Sequence, residues 1–377
     1  MKNRLLSIDI MRGMTICFMI IVNTPGSWEY VYSPLLHAKW HGCTPTDLVF
    51  PFFLFIVGVS MSISFSKIIR DGTIQQHRGK LIRKILRRTM LIFLVGLFLN
   101  WFPFHHKHIS DLRILGVLQR IALAYGGAAM LIVFLKDKKA LGVTATIILL
   151  GYWAIMFFFG EPGSPYTLEG NVATWLDPKI LGNAHVYNGF GIPFDPEGLV
   201  STLPGVAHVL IGYFIGLKVL ELKKDENHAL AIPSQLITLL GIGITLVVLG
   251  LIWNYSFPIN KPIWTSSYVL LTCGLGTIFL LILIWLVDHK KMIAWAYPFR
   301  VFGLNPLVSY ALSGLFVRLM LFTFKWDDTN AYQWLYENIF QSALGNYSGS
   351  FAFALSYTLF IFLFALVLYR KNIVVKL

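Results

Sequence analysis

NTPGSWEYVYSPLLHAKWHGCTPTDLVFP, residues 23–51, is the stretch on which the reading of this chain turns. It joins two apolar runs, each long enough to cross a bilayer. The joining segment is dense in Asn, His, Trp, Thr and Asp and carries almost no basic charge. A connection that only had to link two helices would not need this chemistry. A loop at the membrane surface that holds a His and an Asp within ten residues reads as the mouth of an active site.

The rest of the chain fits a membrane setting. Of its 377 residues 56% are hydrophobic and 13% charged, against about 25% charged in soluble domains. The mean hydropathy is +0.67. The formal net charge of +13 would suggest nucleic acid in a soluble protein. Here it is read as the basic marking of cytoplasmic loops, with no nucleic-acid partner. Cys17, Cys43 and Cys273 form no CxxC pair, so neither a redox motif nor a zinc knuckle is indicated. The first apolar run ends at Asn23-Thr24-Pro25-Gly26 without a small-x-small cleavage site. It is expected to be an uncleaved first helix.

A helix needs ~20 apolar residues to cross the hydrocarbon, and backbone groups in lipid must be paired internally. The expectation is an all-α polytopic membrane protein, one transmembrane domain over 1–377, with about ten spans. These are 9–26, 47–66, 85–102, 114–135, 140–159, 203–222, 233–255, 264–287, 297–323 and 349–369. Five lie within 1–159 and five within 203–377, separated by a long outer loop, 160–202. Lys and Arg crowd alternate connections, above all the segment 67–88, which holds eight of them. Lys2, Arg4, Arg12, Lys136, Lys138, Lys139, Lys218, Lys223, Lys224, Lys290, Lys291, Arg300, Arg370, Lys371 and Lys376 lie on the same side. The opposite side has only Lys39, Lys107, Arg113, Lys179, Lys261 and Lys325. Both termini are therefore expected in the cytoplasm, and the loop of His37 and Asp47 outside.

Several residues stand out chemically. His37 and Asp47 share the first outer loop with Trp40, His41, Thr44 and Thr46, and Asn23 ends the first span. A carboxylate beside an imidazole fixes its tautomer and raises its basicity. A histidine can also carry an acyl group without metal. His37 and His41 are four apart, too weak a signal to predict a metal. Asp9 and Arg12 read first as a helix-start pair, and only second as a ligand site on the cytoplasmic side. Arg113 stands at the outer entrance to the fourth span, with Gln119 and Arg120 just inside it. A charge within a membrane helix is costly, so Arg120 should face the interior and meet either an anionic ligand or a carboxylate such as Asp47 or Asp9. Asp195 and Glu197 precede the sixth span and could bind an amine or sugar hydroxyls, or could reflect turn chemistry. Asn305-Pro306 interrupts the ninth span, and such breaks commonly line cavities.

The segments RLLSIDIMRGMTICFMIIVN (4–23), LLHAKWHGCTPTDLVFPFFLFIVGVSMS (35–62), LRILGVLQRIALAY (112–125), FDPEGLVSTLPGVAHVLIG (194–212) and VFGLNPLVSYALSG (301–314) occur in this order. Together they resemble the heparan-α-glucosaminide N-acetyltransferase family of transmembrane acyltransferases, across nearly the whole chain. The lysosomal relatives carry an extra N-terminal luminal domain and helix, so the chain looks like a bacterial member, in the inner membrane. The resemblance implies transfer of acetyl from cytoplasmic acetyl-CoA, a co-substrate, to an amino sugar on the other side. It implies His37 as the active histidine and Asn23 beside the reacting centre. The family's HA-W-N-G has His41 in place of the Asn, which changes the expected acceptor contacts. Asp47 completes the expected catalytic set. Arg12, Gln119, Arg120 and Asn305 are expected to hold acetyl-CoA. Trp40, His41, Arg113, Asp195 and Glu197 are expected to meet the acceptor. No metal is expected; the bilayer is a partner, and a homodimer is admissible. The competing expectation is a sugar or muropeptide transporter, which would keep its site near the midplane rather than at the outer end. A purely structural membrane protein would not explain His37 with Asn23 and Asp47.

Overall fold

The structure is a computed structural model that describes residues 5–70, 74–106, 108–135, 137–222, 234–326 and 329–375. Lys2, Arg4, Lys107, Lys136, Lys223, Lys224 and Lys376, used above for orientation, lie outside these residues. So does residue 233, the start of the seventh expected span.

Among the described residues the regular structure is helical, apart from the short hairpin Lys325–Trp326 and Thr329–Asn330. The helices are α1 (Leu6–Asn23), α2 (Val49–Arg70), α3 (Ile74–Trp101), α4 (Val117–Phe134), α5 (Lys138–Phe159), α6 (Val172–Leu181), α7 (Thr202–Leu222), α8 (Ser234–Trp253), α9 (Ser266–Leu283), α10 (Tyr297–Leu304), α11 (Pro306–Phe322), α12 (Ala331–Leu335), α13 (Ser342–Leu344) and α14 (Asn346–Arg370). Among the described residues eight helices are long and apolar enough to cross a membrane, nine if the bent pair α10–α11 counts as one span. This is the architecture of an all-α polytopic membrane protein.

Two expectations change. The third expected span, 85–102, is the C-terminal part of the longer α3, whose Lys84, Arg87 and Arg88 keep it out of that apolar group. The basic segment 67–88 is not a loop: α2 runs to Arg70 and α3 begins at Ile74. Lys and Arg are good helix formers, so a basic run extends a helix beyond its apolar part. The ninth expected span is broken where Asn305-Pro306 suggested, with α10 and α11 meeting at 77°.

The core runs between α1, α2, α4, α7 and α9, where Ile10, Met11, Leu54, Phe55, Val59, Ala124, Val209 and Tyr268 are buried. Glycine lets α2 and α7 approach closely. A Cβ on Gly58 of α2 would strike the Val209 carbonyl of α7, and one on Gly212 would strike the Phe55 carbonyl. Small residues let helix backbones meet in this way where the hydrophobic effect gives no drive between helices. The segment 160–202 is also ordered. It contains α6 and packs a second core of Tyr152, Met156, Val172, Ala173, Phe194, Phe257 and Ile263.

Chain direction fixes two ends. α1 and α3 run from the terminus end, whereas α2, α4, α9 and α14 return to it. The loops 24–48, 160–201 and 254–265 gather at the other end. The Gly58 crossing predicts that Gly58→Val destabilises the detergent-solubilised protein by at least ~1–3 kcal/mol, the cost of overpacking. Gly241→Ala, with nothing within 4 Å of the added carbon, should leave the melting midpoint unchanged.

Candidate functional site

The first outer loop folds around one carboxylate. Asp47 lies in the 3-10 turn Pro45–Leu48, capped by Thr44, and is 1% exposed. Its Oδ2 accepts from the Ala38 N–H, the Thr44 N–H and the Thr44 hydroxyl, each at 3.0 Å. Its Oδ1 faces the imidazole Nδ1 of His37 at 2.7 Å and the ammonium of Lys261 at 3.5 Å. The Tyr268 hydroxyl donates to the Asp47 backbone carbonyl at 2.5 Å, tying the turn to α9. One oxygen thus fastens the loop, while the other is presented to His37 and Lys261. A carboxylate only accepts, so Nδ1 carries the imidazole proton and Nε2 keeps its lone pair. The His37 side chain is 43% exposed, so that lone pair is within reach of a solute.

Lys261 is the residue that sequence reasoning missed. It lies in the connection between α8 and α9, 224 positions from His37. Its Nζ is 3.0 Å from His37 Nδ1 and 3.2 Å from Nε2. Burial pulls its pKa below the ordinary lysine value, and the Asp47 charge opposes that pull. The sequence signal was slight: a basic residue on the side where basic residues are few.

The other expected site residues divide. Asn23 ends α1, exposed, with no hydrogen bond to His37 or Asp47. The Trp40 indole N–H donates to the Tyr166 carbonyl at 2.8 Å, and the ring packs edge-on against Phe190 and Phe194. Trp40 therefore joins the His37 loop to the second core. His41 is exposed and turns toward Asn260, with Nδ1 at 3.4 Å from the amide nitrogen. Among the described residues no three His, Cys, Asp or Glu side chains come together as a metal group.

Arg113, Asp195 and Glu197, expected as acceptor contacts, pair with one another. Arg113 bonds Asp195 through Nε at 2.9 Å and Nη2 at 2.6 Å, and Glu197 through Nη2 at 2.6 Å. Burial would lower the Arg113 pKa, but the two carboxylates outweigh it and raise it. Asp195 is wholly enclosed; in this arrangement it clasps the outer segment to the entrance of α4.

Arg120 does face the interior and is completely buried. Its partner is neither Asp47 nor Asp9. Nη2 donates to the Ser201 hydroxyl and to the Gly198 carbonyl, the latter at 3.3 Å. The guanidinium lies 5.0 Å from the Trp264 ring. Among the described residues Nε and Nη1 have no hydrogen-bond partner, nor does Nε2 of the neighbouring Gln119. Both residues sit in the first turn of α4, at the His37 end. That placement separates them from the cavity described next, where acetyl-CoA contacts were expected.

At the terminus end a cavity of about 430 Å³ opens between α1, α2, α3, α4 and the α10–α11 break, within the usual range for ligand pockets. Arg12, Lys84 and Arg88 line it, with Ser60, Tyr125 and Asn305, and among the described residues no carboxylate does. Arg12 is bonded to Asp9 at 3.1 Å and Ser60 at 2.5 Å. Arg88 lies over the Tyr125 ring. Asn305 borders the cavity, but its amide is engaged by the C-terminal segment. It donates to the Ile373 carbonyl and accepts from the Val375 N–H, both at 2.8 Å. A smaller void lined by Ile16, Met19, Phe53, Leu118, Ile121 and Tyr310 continues toward the His37 end.

The molecule is thus a membrane-helix bundle with a basic cavity at one end and an Asp–His–Lys cluster at the other. The family described as "Heparan-alpha-glucosaminide N-acetyltransferase, catalytic" matches residues 4–249, and the chain belongs to that family. The mouse (Mus musculus) heparan-alpha-glucosaminide N-acetyltransferase is 29% identical over 401 residues, covering 91% of this chain and 58% of the mouse protein. The human (Homo sapiens) protein of that name is 27% identical over 430 residues, covering 99% of this chain and 60% of the human protein. The chain spans about three-fifths of the length of these relatives. His37, Asp47, Asn23 and Arg120 lie within the family match, and Lys261 lies beyond it.

Asp177 of α6 offers a test of the outer segment. It is fully buried with Oδ2 unpartnered, and burial raises its pKa to about 6 against the Val200 N–H bond and the Arg120 charge. The folded state therefore holds this proton more tightly than the unfolded chain, at ~3.9. The resulting stability is full below pH ~3.9 and is lost as pH rises through about 6. Asp177→Asn should raise the melting midpoint by a few degrees, on the order of 2–4 °C per kcal/mol, at pH 7.5. The gain should fade toward pH 4.

Proposed function

We propose that this chain transfers an acetyl group from acetyl-CoA, held at the terminus end, to the amine of an amino sugar at the His37 end. The observation that carries this reading is the pairing of two sites at opposite ends of one bundle, in a chain of this family. The relatives' name supplies the substrate class, a glucosaminide. The basic sorting of the loops supports a cytoplasmic terminus end. A multi-pass membrane location follows from the fold, and placement in a bacterial inner membrane belongs to the proposal.

The chemistry suits the residues. CoA carries phosphates, and Lys84, Arg88 and the Asp9-paired Arg12 give its nucleotide end a cationic mouth. The acyl arm would enter between α1, α2, α4 and α11, along the smaller void. At the far end an amine must lose its proton to attack. His37 Nε2, with Nδ1 held by Asp47, takes that proton or first carries the acetyl group itself. Asn23, exposed at the end of α1, is available to a bound acceptor. Arg113, Asp195 and Glu197 hold the wall of the site; Trp40 and His41 stand at its rim.

Purified protein given labelled acetyl-CoA and a panel of amino sugars tests the reading. Acetylated product should form, and His37→Ala should abolish it while the protein stays folded and keeps its affinity for CoA. Label retained on the wild type without acceptor would identify an acetyl-histidine step. Near wild-type turnover in His37→Ala would remove the histidine from the chemistry. Sugar uptake into vesicles with no acetyl transfer would favour the transporter, for which the broken α10–α11 helix also has a use. Asn23→Ala should reduce turnover at least ~10-fold, 1.36 kcal/mol of barrier; unchanged kinetics would place Asn23 outside the site.

A further inference from the structure

Lys261 reaches the His37 centre from a connection far away in sequence. Its side chain is 18% exposed, beside an imidazole that is 43% exposed, so the two share one opening. The turn that carries it is held rigidly. Asn260 is fully buried; its N–H donates to the Thr265 hydroxyl at 3.0 Å, and its side-chain oxygen accepts from the Ile263 N–H at 2.9 Å. The Trp264 N–H donates to the Lys261 carbonyl at 3.0 Å. Trp264 itself adopts φ 51°, a left-handed conformation that a bulky side chain adopts only when its surroundings impose it. Its ring is locked by Phe50, Tyr268 and Arg120. A bond from Gly42 N–H to the Ile259 carbonyl, 2.8 Å, fastens this turn to the His37 loop.

The direction of approach is informative. Lys261 Nζ is almost equally far from both ring nitrogens. An atom in the imidazole plane at those distances would collide with the carbon between them. The ammonium therefore stands over the ring face, off the axis of the Nε2 lone pair. It leaves that lone pair open and lies 3.2 Å from Nε2, close enough to reach the oxygen of a carbonyl attacked there. An ammonium has three N–H donors, and the described contacts of this one are with Asp47 and His37.

We propose that Lys261 is a catalytic residue of this centre, whose ammonium donates to the oxyanion formed on the acetyl carbonyl during transfer. The inference rests on the acetyltransferase reading and adds to it the group that stabilises the transition state. The attacking nitrogen forms the C–N bond and the carbonyl π pair moves to oxygen. Lys261 stabilises that charge. The carbonyl re-forms as the C–S bond breaks, and the proton lost by the amine passes by way of His37 Nε2 to the CoA thiolate. Asp47 serves both neighbours, fixing the His37 tautomer and holding the ammonium in place.

Removing one such donor costs about 10²–10³ in kcat. Lys261→Met should show that loss, with the KM for acetyl-CoA changed less than about threefold, since a thioester in its ground state gains little from the donor. Lys261→Arg should recover part of kcat. Wild-type kcat should fall at alkaline pH as the ammonium loses its proton. That limb should be absent in Lys261→Met and move to higher pH in Lys261→Arg, because the guanidinium does not titrate there. A merely structural lysine would not move the profile in this way. If Lys261→Met does not fold, the displaced alkaline limb of Lys261→Arg carries the test. An active wild type with Lys261→Met within threefold in kcat, or with an unchanged alkaline limb, overturns this proposal alone. A wild type inactive with every acceptor overturns the acetyltransferase reading on which it stands.

Discussion

A carboxylate that is 1% exposed has to be satisfied on both oxygens, and at Asp47 this requirement organises the His37 end of the molecule. Oδ2 gathers the loop through Ala38 and Thr44; Oδ1 gathers His37 and Lys261. The loop therefore cannot adopt this path without also bringing an imidazole and an amine together. Leaving Lys261 out would strand the Asp47 charge away from water; a fully buried pair broken this way loses about 3–5 kcal/mol, and this one loses less because Lys261 is 18% exposed. Fold and site are stabilised by the same atoms.

The opposite end is built by a different device. The Gly58 and Gly212 contacts bring α2 and α7 together, and the 77° break at Asn305 turns α11 away from α10. Between them the bundle keeps a basic cavity on one side, and Arg12 is some sixteen ångströms along α1 from Asn23 at about 1.5 Å per residue. A CoA molecule has to stay in water at its phosphates, and a sugar has to stay in water at its hydroxyls. A bundle with one site at each end lets both conditions hold while an acyl arm runs through the apolar part between them.

Much of this was legible in the residues. Span length is dictated by the bilayer, so most helices fell where apolar runs of ~20 residues lay. Asn305-Pro306 marked the broken helix because proline removes a backbone donor. His37 and Asp47 could be joined on paper because ten residues separate them. Lys261 could not, because only the tertiary fold brings it across 224 positions. Arg120 was read correctly as facing inward, since lipid would reject it. Its partner was missed because a hydroxyl and a backbone carbonyl leave no charge signature. Arg113, Asp195 and Glu197 were read as ligand contacts from their charges at the outer end, and the same charges pair them with one another. The basic run after residue 67 looked like a loop because its polarity was taken as a boundary, whereas helix propensity carried α2 and α3 through it.

The central claim is that donor and acceptor meet from opposite sides of one membrane. Sealed vesicles of known orientation test it most directly, with labelled acetyl-CoA supplied only on the side of the termini and an amino sugar trapped only on the side of His37. The transmembrane reading predicts acetylated sugar inside the trapped compartment, abolished by His37→Ala and independent of added sugar on the donor side. Transfer that occurs only when both substrates share one side would contradict it, even with full acetyltransferase activity in detergent.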